Sequence, residues 1–172
     1  LSAATLTHSE VAVRKWSKIL AWDGLILLVI LAAIQFIPVD HNPPPTVREP
    51  VWDSSDTRDL AVDACFDCHS NQTEWPWYAK IAPSSWVLWY DVTQGREALN
   101  FSDWDQHDQP EAAENENFPP KPLAERIEAE IRSGAMPPGL YRLAHPDARL
   151  SDAEKEALIE GLKRTVEQNM QP

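Results

Sequence analysis

From Ile19 to Val39 the chain reads ILAWDGLILLVILAAIQFIPV, and an apolar run of this length permits few structures. At 1.5 Å per residue, a helix made from it is about long enough to cross a hydrocarbon core of roughly 30 Å. Lipid offers no partner for backbone N–H and C=O groups, so a single segment must pair them internally, as a helix does. The expectation is a transmembrane helix over 19–39. A buried core helix and a cleaved signal peptide are the alternatives, because Arg14, Lys15 and Lys18 supply the charged region a signal peptide needs. No Ala-x-Ala pattern follows the run, and Ala32-Ala33 lies inside it, which favours a retained anchor. The basic cluster precedes the span, so residues 1–18 are expected in the cytoplasm and everything after Pro38 outside. Asp23 and Gln35 stand toward opposite ends, where polar tips reach headgroups or a partner helix.

Residues 40–56, DHNPPPTVREPVWDSSD, carry Pro43, Pro44, Pro45 and Pro50 and no periodic pattern. They read as a stiff, extended linker that holds the next domain off the bilayer or lays it across a partner. Lys and Arg total 15 against 27 Asp and Glu, a formal charge of -12. That balance argues against nucleic acid and anionic headgroups as partners and favours a basic protein or a membrane complex. Six acidic residues, Asp103, Asp105, Asp108, Glu111, Glu114 and Glu116, lie between Phe101 and Phe118 with no Lys or Arg until Lys121. A solvated loop and a docking rim for a basic redox partner are both open readings of that stretch.

A soluble, mostly α domain is expected over 57–167, with 168–172 as a tail. Asp56 or Thr57 can cap a short helix running into residues 65–69, and a second helix is expected over Ser84 to Leu99, where Gly95 is a possible interruption. Leu123, Ile127 and Ile131 recur every fourth residue on a third, which Pro122 starts and Gly134 stops. Ser151 and Glu154 form a capping box for a fourth, buried through Leu158, Leu162 and Val166. Strand signal is close to absent.

The chemistry lies in Cys65-Phe66-Asp67-Cys68-His69, which holds both cysteines of the chain. Two thiols three residues apart on a helix end present to one edge, so each can add to one vinyl group of a haem while the adjacent imidazole ligates iron. A zinc half-site and a thioredoxin-like redox pair are the alternatives. Zinc needs further ligands, from His41, His107, His145 or carboxylates, and no second close pair exists. A thioredoxin pair belongs after a strand in a parallel sheet. An outside location suits covalent attachment of one haem c through Cys65 and Cys68. A domain of roughly 110 residues also gains buried surface from a porphyrin. Trp77, Tyr78, Trp104 and Arg96 carry the donors that suit haem propionates.

Met136, in SGAMPPGLY, stands after Gly134 and before Pro137-Pro138 on a stiff segment. A thioether fixed in both oxidation states suits an electron-transfer iron, so His69 and Met136 are the expected axial ligands. His145 is the alternative to Met136, with capping or propionate binding as its other roles. Core filling is the ordinary alternative for a lone Met.

The segment CFDCHSNQTEWPWYAKIAPSSWVLWYDVTQGREALNFSDW, Cys65 to Trp104, together with GAMPPGLYRLAHPDARLSDAEKEALIEGL, residues 134–162, resembles the bacterial haem-binding domain family of monohaem c-type cytochromes. The stretch Trp75-Pro76-Trp77-Tyr78 separates it from ordinary small cytochromes c. The resemblance extends from about Asp59 to Val166, with the anchor and the acidic stretch outside the shared pattern. It implies a c-type cytochrome-like helical haem domain, haem on Cys65 and Cys68, His69 proximal and Met136 distal. The resulting expectation is a single-pass protein of the bacterial inner membrane with its haem domain on the periplasmic side. It would act as a one-electron carrier rather than an enzyme, in a respiratory or photosynthetic complex. A haem sensor and a structural haem subunit are the other classes the sequence allows.

Overall fold

The computed structural model describes residues 8–106 and 122–170. The stretch from residue 107 to 116, with most of the acidic run and His107, lies outside the described residues, as does the tail beyond 170. Helix α1 spans His8–Ile34 and is followed by α2, Ser55–Ala64; α3, Phe66–His69; α4, Ser84–Ala98; α5, Leu123–Ser133; α6, Gly139–Ala144; and α7, Asp152–Asn169. Short 3-10 turns cover Trp77–Lys80, Trp104–Gln106 and Pro146–Ala148. The only β feature among the described residues is an isolated parallel bridge between Arg48 and Asp103.

In α1 the segment Trp16–Ile34 is long and apolar enough to cross a membrane, and none of it is buried. The helix ends five residues before Val39, where the apolar run itself ends. Its last turn tightens through bonds from Gln35, Phe36 and Ile37 amides to the carbonyls of Ala32, Ala33 and Ile34. Gln35 also donates its side-chain amide to Leu31 O at 2.8 Å, satisfying a carbonyl the helix leaves open. Pro38 cannot continue the ladder.

The core of the remainder forms where α2, α5 and α7 meet. Leu158, Ile159, Leu162 and Val166 of α7 face Ala61 and Ala64 of α2 and Ile131 of α5. The capping box of α7 is complete, since Ser151 Oγ accepts from the Glu154 amide and Glu154 Oε2 from the Ser151 amide at 2.7 Å. Gly134 ends α5 at φ 74°, a left-handed conformation open to glycine at little cost. Helix α2 is capped two or three positions earlier than the sequence suggests: Ser54 Oγ accepts from the Thr57 amide at 3.2 Å.

A file of aromatic rings closes the core beside α3. Phe66 stacks on Phe101 at 5.4 Å, and Phe101 on Trp104 at 6.1 Å. Trp104 is fully buried behind Phe101, so its place is in the protein core rather than on a ligand's edge. The linker also differs from the free spacer that its prolines suggest. Val47 and Arg48 amides donate to Ser102 O, the Trp104 amide donates to Arg48 O, and Asn71 Nδ2 donates to Pro45 O at 3.0 Å. Glu49 receives Arg58 through both carboxylate oxygens, at 2.9 and 3.0 Å, and also Trp52 Nε1 and Gln72 Nε2. Proline lacks an N–H but keeps its carbonyl, and this linker uses its backbone to lace itself onto the domain.

A candidate haem site at the Cys65 to His69 turn

Cys65 is the joint between two helices. It ends α2 with its amide on Ala61 O and opens α3 at φ -129°, ψ -33°, with its own carbonyl accepting from the amides of Cys68 at 3.2 Å and His69 at 2.8 Å. The turn therefore carries both thiols and the imidazole on a single short coil. Both cysteines are free thiols and partly exposed. Loss of solvent around the sulfurs pushes the Cys65 thiol up to about 12, and that of Cys68 to about 11 with help from the Asp67 and Asp91 charges. They are neutral S–H groups at pH 7, unlike the low-pKa thiolate of a redox pair.

His69 is fixed from both ends. Its carbonyl accepts from the Phe101 amide at 2.7 Å, and Nδ1 lies 3.1 Å from Leu99 O. A carbonyl accepts only, so Nδ1 carries the proton and Nε2 keeps its lone pair. Burial lowers the imidazole pKa and keeps the ring neutral. This is the tautomer and orientation that an iron-binding histidine needs.

Around it runs a buried polar lattice. Ser70 Oγ donates to Phe66 O at 2.8 Å, Asn100 Nδ2 donates to Asn71 Oδ1 at 3.0 Å, and Ser102 Oγ accepts from the Asn71 amide at 3.0 Å. The two Asn71 bonds, with the Phe101 amide on His69 O, join residues 69–71 to 100–102 and hold Leu99 O within reach of the imidazole. Helix α4 closes the other side of α3. A Cβ built on Gly95 would lie 2.5 Å from Cys68 O, so only glycine lets α4 approach the turn this closely.

The residues expected to hold a haem are distributed unevenly around this turn. Arg96 donates Nε to Ser70 O at 2.8 Å and Nη2 to Thr73 Oγ1 at 2.9 Å, so it braces the loop after His69. Trp77 is mostly exposed, and Tyr78 is half-buried with its ring 5.6 Å from Trp77. Met136 follows the glycine that ends α5, its amide bonded to Glu130 O at 3.1 Å and its side chain 37% exposed. His145 ends α6, with Nδ1 3.0 Å from Tyr141 O, its ring stacked on Tyr141 at 3.9 Å, and Nε2 3.8 Å from Asp67 Oδ2. Tyr141, which sequence alone places only among the aromatics that pack the core or wall a porphyrin, donates its hydroxyl to Asp67 Oδ2 at 2.7 Å, and Asn71 and Asn100 pair without any sequence signal for it. An Asp inside the motif and an aromatic beside Met136 were the visible signals.

The donor set fits a haem. It supplies a neutral imidazole whose Nδ1 is bonded to Leu99 O, two protonated thiols within one turn, and a glycine that lets α4 approach the turn. Among the described residues three buried ring nitrogens, His41 Nε2, Trp86 Nε1 and Trp104 Nε1, have no hydrogen-bond partner. A zinc reading lacks support, since among the described residues no three His, Cys, Asp or Glu side chains gather as a metal site requires.

A helical domain built around a Cys-x-x-Cys-His turn with a pre-set imidazole is the architecture of a haem-binding protein. The chain belongs to the haem-binding domain family, whose model matches residues 29–164. The match begins inside α1, well ahead of Asp59, so the last turns of that helix, the linker and the acidic stretch all lie within the matched range. No curated protein and no solved structure matches the chain.

Proposed function

We propose that this protein is a membrane-anchored monohaem c-type cytochrome that passes single electrons on the outer face of a bacterial inner membrane, as a subunit of a respiratory or photosynthetic complex. The observation that carries this reading is the His69 to Leu99 hydrogen bond beside two neutral thiols. Cys65 and Cys68 would hold a haem through two thioethers to its vinyl groups, and His69 Nε2 and Met136 would hold its iron. Bound there, the haem would supply a one-electron iron couple. The chain's own part is to keep both ligands in place between oxidation states, which holds reorganisation small. The apolar run of α1 from Ile19, preceded within the helix by Arg14, Lys15 and Lys18, anchors the domain with its N-terminus in the cytoplasm. The partner is a membrane complex or a basic redox protein rather than a small-molecule substrate.

Denaturing the purified protein and extracting it with acid acetone tests attachment. Colour that stays with the polypeptide is expected, and colour wholly in the organic phase overturns the covalent reading. A redox titration that follows a one-electron curve, together with a redox protein or complex retained through mild detergent, is expected of a carrier. Protease added to sealed right-side-out vesicles should cut the domain after Pro38, and protection of that domain reverses the orientation.

A further inference from the structure

The end of α1 does not point into an open linker; it is clamped to the domain. Gln35 Nε2 donates to Ala82 O at 3.0 Å while Gln35 Oε1 accepts from the Ala82 amide at 2.9 Å. One glutamine thus pairs with one backbone unit in both directions, across 47 positions of sequence. Ala82 is thereby fixed at the mouth of the apolar helix.

The two segments joined by this clamp share a composition that the rest of the chain lacks. From Gly24 to Val39 there is no charged residue. From Trp75 to Tyr90, WPWYAKIAPSSWVLWY, the only charge is Lys80, in a chain of net charge -12. Both segments also turn apolar groups outward next to the clamp. Phe36 is 86% and Ile37 54% exposed on one side, and Trp77 is 75% and Ile81 47% exposed on the other. Lys80 is exposed between the last two.

We infer that this surface is a second membrane contact. The haem domain lies against the outer bilayer boundary through Trp77 and Ile81, continuous with Phe36 and Ile37 at the end of the span and held there by the Gln35 to Ala82 pair. Its occupant is the lipid interface itself. Trp is the side chain enriched at that level, apolar residues beside it enter the acyl boundary, and a Lys stem lets its ammonium reach a phosphate. The net negative charge does not oppose the contact, because no carboxylate lies between residues 75 and 90. This inference rests on α1 crossing the bilayer, and it replaces a domain held away from the membrane by one pressed onto it.

The test uses the full haem-loaded chain in nanodiscs of phosphatidylcholine and phosphatidylglycerol, with the photoreactive residue p-benzoylphenylalanine placed singly at positions 28, 81 and 170. After illumination, mass spectrometry reads lipid adducts. Position 28 reports the span, and position 170 follows α7, which packs on α2 and α5. Lipid adducts at 28 and 81 but not at 170 are expected. Gln35→Ala should then reduce the adduct at 81 several-fold and leave that at 28 unchanged. An adduct at 28 with none at 81, or with a crosslink from 81 into the chain instead, overturns the docking surface while the anchor stands. No adduct at 28 overturns the anchor and the docking with it. Equal adducts at 81 and 170 show non-specific contact and also overturn it.

Discussion

Tyr141 of α6 donates its phenol O–H to Asp67 Oδ2 of α3 at 2.7 Å, tying the segment that carries Met136 to the interior of the Cys-x-x-Cys-His turn. Asp67 is held in turn, since Oδ1 accepts from the Glu74 amide at 2.8 Å and its carbonyl accepts from Thr73 Oγ1 at 2.7 Å. Partial burial and the neighbouring carboxylate raise the phenol pKa, so the proton stays on Tyr141. Tyr141→Phe removes this tie without changing ring volume. A hydrogen bond to a charged acceptor contributes about 1.5 kcal/mol, so the reduced variant is expected to bind carbon monoxide roughly tenfold more readily. Its covalent haem content should match that of the parent. Carbon monoxide titration of the two proteins checks this.

Gly95→Ala places a methyl group against Cys68 O, a backbone atom with nowhere to retreat. Overpacking of this kind costs about 2 kcal/mol. The variant should show that loss by urea denaturation and should also lower the yield of haem-loaded protein, because α4 supports the turn that presents the thiols. Unchanged stability and haem content would mean that α4 and α3 are further apart than they stand here.

The helices were legible where their signals are local. The Leu123, Ile127 and Ile131 stripe, Gly134 after it, and the Ser151 to Glu154 box each act within a few residues, and each appears as read. What the sequence concealed is the long-range pairing. Gly95 reads as a helix breaker in a window, yet it lies within α4 because its missing side chain answers to Cys68, far back in the chain. The carbonyl that sets the His69 tautomer comes from 30 residues away, and the phenol on Asp67 from 74. A run of prolines suggests a spacer because it disfavours helix, but that property says nothing of its carbonyls, and Pro45 O is among the groups that hold the linker down. The motif itself named the cofactor class without any of this.

Glu49 makes the fold sensitive to acid. The Arg58 hydrogen bonds are the largest influence on it and, with Trp52, Gln72 and the Arg58 charge, hold its carboxyl below the ordinary glutamate value of 4.5 against a smaller opposing effect of burial. A carboxylate with a lowered folded-state pKa contributes stability that is fully present above the unfolded value and lost as pH falls through the folded one. The linker should therefore loosen below about pH 4.5 and not above it. Glu49→Gln is expected to lose about 1 kcal/mol at pH 7, after allowance for solvent screening. Its difference from the parent should shrink as pH falls below the glutamate range. Denaturation curves for both proteins from pH 7 to pH 3 measure it.

Met136 and His145 are the two candidates for the distal ligand of the proposed cytochrome, and their surroundings separate them. His145 is engaged: its Nδ1 bonds Tyr141 O, its ring stacks on Tyr141, and Nε2 faces the Asp67 carboxylate. Its Nδ1 bond is of the kind His69 makes and would survive ligation, but Nε2 would have to leave the Asp67 carboxylate and the ring its stack on Tyr141. Met136 gives up nothing comparable. Its backbone is fixed by the bond to Glu130 O and by Pro137 after it, while its thioether is partly exposed and carries no polar bond to break. The expected result is that Met136→Ala keeps its haem on the polypeptide through denaturation but gains at least about a tenfold rise in carbon monoxide affinity, the equivalent of roughly 1.4 kcal/mol. His145→Ala should leave the parent's affinity within about twofold, a difference of roughly 0.4 kcal/mol. The reverse pattern assigns the distal ligand to His145, and equal binding by the parent and both variants removes both residues from the iron.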